Sequence, residues 1–151
     1  MSSRSGRGRV ALRDSFAAGT VAAVVSGAPS TAHALLTGDD PWAATLAAGS
    51  LLLPRETRRG RLVLAAAAAH GALSLGWAVV LDAALPRRHP LLTGALAGLG
   101  IAALDLGVIA RRLPRIRALP LTPQIADHVA YGVVVAAVLA HRRGSAQVRP
   151  Q

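Results

Sequence analysis

Cysteine is absent from this 151-residue chain, which excludes disulfides, thiolate metal sites and a cysteine nucleophile together. Aromatic residues are nearly absent too: two Trp, one Tyr and one Phe are too few to wall a haem or a similar macrocycle. Lysine is missing. All 17 basic residues are Arg and Ala dominates the apolar stretches, a codon bias that points to a high-GC bacterial genome. No His-x-x-x-His or Glu-x-x-His spacing occurs to seed a metal site, and no Gly-x-Ser-x-Gly elbow to expose a serine nucleophile. Ser26, Ser30 and His33 share one helical side, but no acid orients them as a catalytic group. These absences predict a non-enzyme without a resident cofactor or metal.

What is present is apolar and blocked. Hydrophobic residues make up 52% of the chain and charged residues 16%, segregated into long apolar runs and short Arg-rich loops, the pattern of membrane spans. The net charge of +10 does not indicate nucleic acid, because the Arg clusters sit at the ends of apolar runs, where they meet anionic headgroups. The expected partners are therefore the lipid bilayer and another membrane protein or a second copy.

Leu91 to Ala110, LLTGALAGLGIAALDLGVIA, holds a single carboxylate, Asp105. At about 100° per residue, Gly94, Gly98 and Asp105 fall within roughly 40° of one another. That puts the acid on the small-residue strip where helices approach closely, so this face is expected to meet a helix rather than lipid.

Residues 1–13 are basic, with Gly and Ser interruptions, and predict a flexible tail. The uncharged run from Ser15 to Gly38 exceeds the ~7 to 15 residues of a signal-peptide core and predicts a retained span over 15–36. Pro29 should kink it at Gly27-Ala28, with Ser hydroxyls satisfying freed backbone groups. Thr37-Gly38-Asp39-Asp40-Pro41 marks a turn, and a helix over 42–53 ends at Pro54. Such a helix rises only about 18 Å, short of the ~30 Å core, so it should be interfacial or re-entrant with Trp42 at headgroup level. Spans follow over 62–82, 91–110 and 123–141, with a tail over 143–151. The short Pro86–Pro90 link predicts the second and third spans as antiparallel neighbours. The fold class is an all-α, four-span bundle plus one short helix, multi-pass in a bacterial inner membrane. Arg counts do not decide orientation for four spans, nine against eight, whereas five crossings would give twelve against five.

Ionisable groups inside spans are costly and often functional. Counting 1.5 Å per residue from helix ends puts His70 about 13 Å deep, Asp105 about 9 Å, and Asp127 and His128 about 6 to 8 Å. With His33 near its span end, these five share one half of the bundle, and Tyr131 lies one turn beyond Asp127. Two readings stand: Asp105 is interhelical glue paired with His70, His128 or Tyr131, or Asp105 and His70 belong to a proton or small-molecule pathway. A His-ligated metal or haem is a third, less favoured reading.

The short helix after the first span, together with the Asp127–Gly132 motif DHVAYG in the last, resembles the small four-helix membrane proteins of actinobacteria and other bacteria. The resemblance covers residues 14–142. It implies a four-helix membrane fold and no particular activity or catalytic residue.

Overall fold

Proline marks most helix starts in this chain, where its missing N–H would have had no helical partner. The computed structural model describes residues 2–147, with side chains over 12–145, and all regular structure among them is helical. α1 is Ser2–Val25, α2 is Ala28–Thr37 with Pro29 in its first turn, and α3 is Ala43–Gly49. α4 runs Arg59–Ala84 and α5 Pro90–Leu104. α5 passes into a π turn, Asp105–Ile109, and a 3-10 turn, Ala110–Arg112. α6, Pro114–Arg117, precedes α7, Leu121–Gln147. Three segments are long and apolar enough to cross a membrane: Arg59–Ala84, Pro90–Arg112 and Leu121–Ser145.

The first apolar run is divided into α1 and α2, because the chain turns at Ser26–Gly27 ahead of Pro29. α1 begins upstream of the apolar run, at Ser2. No proline interrupts that stretch, and an established helix extends at one hydrogen bond per added residue. At the other end α7 continues past 141 to Gln147, since Arg142 and Arg143 are held by ion pairs. Residue 1 and residues 148–151 of the expected tails lie outside the described residues.

The short helix is shorter than 42–53. After Gly49 the chain goes into turns, with Ser50 Oγ donating to the Ala47 carbonyl at 2.6 Å, and Pro54 disfavours helix in the residue before it. Gly49 also packs against α4 so closely that a Cβ there would lie 2.1 Å from the Leu62 carbonyl oxygen.

α7 is the hub. α5 packs mainly on α7, α1 lies between α4 and α7, α2 packs on α7, and α3 packs on α4. α4 and α5 make no substantial contact with each other despite their short connection. His89, in the left-handed region at φ 51°, turns the chain into Pro90, and α5 is drawn to the glycine face of α7 instead. The core is small-residue and aliphatic: Ala18 and Ala22 of α1, Ala78 and Leu81 of α4, Ile101 of α5, and Tyr131, Val135 and Leu139 of α7. The outside is apolar as well. Leu36, Val24 and Leu64 are 88%, 78% and 74% exposed, a surface that suits hydrocarbon rather than water.

Candidate functional site

The break between α1 and α2 is where side chains from other helices converge on backbone. A helix end leaves carbonyls without partners and a helix start leaves N–H groups without partners. α1 closes with Ser26 N–H donating to the Ala22 carbonyl at 2.9 Å. The next carbonyl, Ala23, accepts from His70 Nε2 of α4 at 2.9 Å. On the far side, the Ser30 N–H of α2 donates to Asp127 Oδ1 of α7 at 2.9 Å. Asp127 therefore caps α2 from a different helix, a role usually filled by the residue just before the helix. Here that residue is Gly27, which has no side chain. Its carbonyl accepts from Ser30 Oγ at 3.2 Å and Thr31 Oγ1 at 2.9 Å.

On the residue after Asp127, His128 Nε2 faces Asp105 Oδ2 at 3.2 Å, and His128 Nδ1 faces the Gln124 carbonyl at 2.7 Å. A carbonyl only accepts, so Nδ1 carries a hydrogen. Nε2 then satisfies the carboxylate only if one more proton sits between them, on the ring or on the acid. The side chains are 26% exposed for Asp105 and 20% for His128. Asp105 opens the π turn, whose Ala110 N–H returns to the Asp105 carbonyl. Single π turns of this kind often accompany functional positions.

Tyr131 is buried and donates to the Ser74 carbonyl of α4 at 2.5 Å, not to Asp105. His33 is half-buried on α2. Five of the six polar residues singled out from sequence therefore divide among separate partners: Asp105 with His128, His70 and Asp127 on the two lips of the break, and Tyr131 on α4. Among the described residues, no three His or carboxylate side chains gather as a metal shell.

Gly94 and Gly98 lie at the crossing with α7, and the third member of that contact is Gly132. A Cβ at Gly132 would lie 2.1 Å from the Gly94 carbonyl oxygen, and one at Gly98 would lie 2.3 Å from that of His128. The backbones touch, and the same crossing carries His128 to Asp105.

A second polar group escaped the sequence reading. Ser15 Oγ donates to Asp82 Oδ2 at 2.8 Å, Arg142 Nε pairs with Asp14 at 2.6 Å, and Arg143 Nη2 pairs with Asp82. These ties fasten α1, α4 and α7 at one end. A signal was available: Asp14 opens the first apolar run, Asp82 closes the second and Arg142-Arg143 close the last, so alternating directions bring all of them to one side.

The opposite end is built on loops. Asp40 holds Arg59 through both oxygens at 3.0 Å, and the Arg59 guanidinium lies 5.9 Å from the Trp42 ring centre. Glu56 Oε1 accepts from the Thr57 and Arg58 amides at 2.9 and 3.0 Å, and Oε2 from Arg61 at 3.2 Å. The Arg58 amide first, then the Thr57 amide, hold the Glu56 carboxyl below its ordinary value, with Arg61 adding to them.

Comparison with family models, with curated proteins and with solved structures finds no match to this chain.

Proposed function

We propose that this chain is a four-crossing protein of a bacterial inner membrane with a non-catalytic, structural or accessory role. The observation that carries the reading is the engagement of its ionisable groups. His70, Asp127 and Tyr131 are spent on backbone groups of other helices, and Asp105 on His128. Groups bound in this way act as joints between helices, each worth about 0.6 kcal/mol and rarely near 2.

Four crossings are supported by the course of the broken segment along α7. Asp14 pairs with Arg142 and Ser30 with Asp127. The separations are 30 − 14 = 16 residues on one side and 142 − 127 = 15 on the other, so α1 and α2 together run antiparallel to one continuous helix. α3, with seven residues, rises only about 10 Å against a hydrocarbon core of about 30 Å. Reporter fusions at the two termini test this directly: the same side is expected, and opposite sides would refute four crossings.

A second reading, a proton-coupled or small-molecule transport component, is favoured by the contact between two ionisable side chains, Asp105 and His128, on neighbouring apolar helices. His70 is exposed and committed to Ala23, so His128 takes the place expected for it beside Asp105. Proteoliposomes carrying an internal pH dye separate the two roles. A joint gives no proton flux above protein-free vesicles, whereas a pathway gives flux that Asp105→Asn abolishes while the protein stays folded.

A further inference from the structure

Between α3, the start of α4 and α6 lies a groove of about 560 Å³. Its floor is apolar, with Leu46, Leu62 and Leu119, and its rim carries Arg59 and Arg115. The volume falls within the range of small-molecule sites, about 300–1,000 Å³. What distinguishes the groove is its charge balance. Asp40 is fully engaged, with both oxygens on Arg59 and Oδ1 also accepting the Trp42 amide at 2.9 Å. Glu56 is engaged too, by two amides and Arg61. Arg115 donates Nη2 to the Glu56 backbone carbonyl at 2.9 Å, which fixes its position without neutralising it. Among the described residues no carboxylate pairs with Arg115. Arg111, Arg112 and Arg117 stand on the same short segment.

A half-buried, uncompensated guanidinium above an aliphatic floor fits a molecule with an anionic head and an apolar tail. Guanidinium also binds phosphate oxygens through paired N–H donors better than a point charge does. Trp42 beside the rim suits the headgroup level, where tryptophan concentrates. We propose that this groove binds one glycerophospholipid with an anionic headgroup, its phosphate on Arg115 and part of a chain on Leu46, Leu62 and Leu119. The proposal rests on the membrane reading above but not on the number of crossings. Basic pockets between membrane helices hold anionic headgroups in this manner.

The test is non-denaturing mass spectrometry of the full chain in non-ionic detergent, with equimolar phosphatidylglycerol and phosphatidylcholine. The expected result is one retained phosphatidylglycerol per chain at about fivefold preference, the scale of one cation at a membrane surface. Arg115→Gln should remove the preference. Ala118→Trp keeps every Arg but fills the groove, and it should lose the bound lipid, so the test survives if the first variant fails to fold. Arg88→Gln, at the other end of α4, should change nothing. Retention by both groove variants, or an equal loss in Arg88→Gln, overturns a specific site. Displacement of the lipid by inorganic phosphate alone overturns the apolar half of the proposal. Carbonate extraction of native membranes separates the two claims: a chain released to the supernatant refutes the membrane reading, and a chain retained in membranes without lipid preference refutes the groove alone.

Discussion

At the α5–α7 crossing, backbone meets backbone; at the α1–α2 break, side chains from two other helices reach in to satisfy backbone groups the broken helix cannot satisfy itself. The two joints solve one problem. Within a bilayer, where the proposed function places the chain, no hydrophobic force draws helices together, so association there depends on close packing and on hydrogen bonds. The crossing uses packing through Gly94, Gly98 and Gly132. The break uses hydrogen bonds through His70 and Asp127. A packing joint rejects added volume whatever its chemistry, whereas a hydrogen-bonded joint accepts any side chain that keeps the donor or acceptor.

The largest effect is expected at the crossing. Gly132→Leu puts a Cβ 2.1 Å from the Gly94 oxygen, and neighbouring backbone cannot give way as a flexible side chain would. Overpacking of this kind costs about 1–3 kcal/mol or more, read as a lower thermal midpoint and loss of monodisperse protein in detergent. Gly100, on the same helix as Gly94 and Gly98, has nothing within 4 Å of an added Cβ, so Gly100→Ala should leave both measures unchanged. Equal damage from both changes would mean that glycine matters here for flexibility and not for contact.

The next effect belongs to Asp127. Asp127→Ala leaves the Ser30 N–H without its acceptor, a loss of about 1–3 kcal/mol for a buried donor. Asp127→Asn keeps an oxygen there and should recover most of the stability in the same melts. If Asn and Ala prove equally harmful, charge and not the cap is what the break requires.

His70 should matter less. Its partner is a carbonyl, which has two lone pairs and tolerates partial satisfaction better than an N–H, and the side chain is exposed. His70→Ala is expected to cost about 0.6 kcal/mol, with His70→Gln close to wild type. A larger penalty than that of Asp127→Ala would reverse the ranking of the two lips.

The smallest effect lies outside both joints, at Glu56, and reports on pH. Its folded carboxyl titrates below the ordinary 4.5, so the charged form is the one bound by the Arg58 and Thr57 amides. That contribution is fully present above pH 4.5 and is lost as pH falls through the lower folded value. Melts of wild type and Glu56→Gln should therefore differ near neutrality and converge in acid. A gap that widens on acidification would have the sign wrong.

Much of the architecture could be read from local pattern. The apolar runs, the Arg blocks that bound them, the interruption at Pro29 and the Gly94-Gly98-Asp105 face are all properties of residues within a few turns of each other, and helical periodicity alone orders them. The length of the short helix and the continuity of the first span were less legible, because each depends on what packs beside it. Gly49 packs against the Leu62 carbonyl, and the two ends of the break at Ser26-Gly27 are met by His70 and Asp127.

Which group meets which was settled by tertiary structure. The sequence determined that Asp105 lies on a glycine face; only the α5–α7 crossing decided that its partner is His128 and that Tyr131 turns instead to Ser74. Likewise the short Pro86–Pro90 link determined that the chain reverses, but not that α5 would leave α4 for α7. The reason is physical. Periodicity specifies the angle of a side chain about its own axis, whereas a contact also needs the distance, tilt and rotation of a second helix, and in this protein those are set where Gly132 lets two backbones touch.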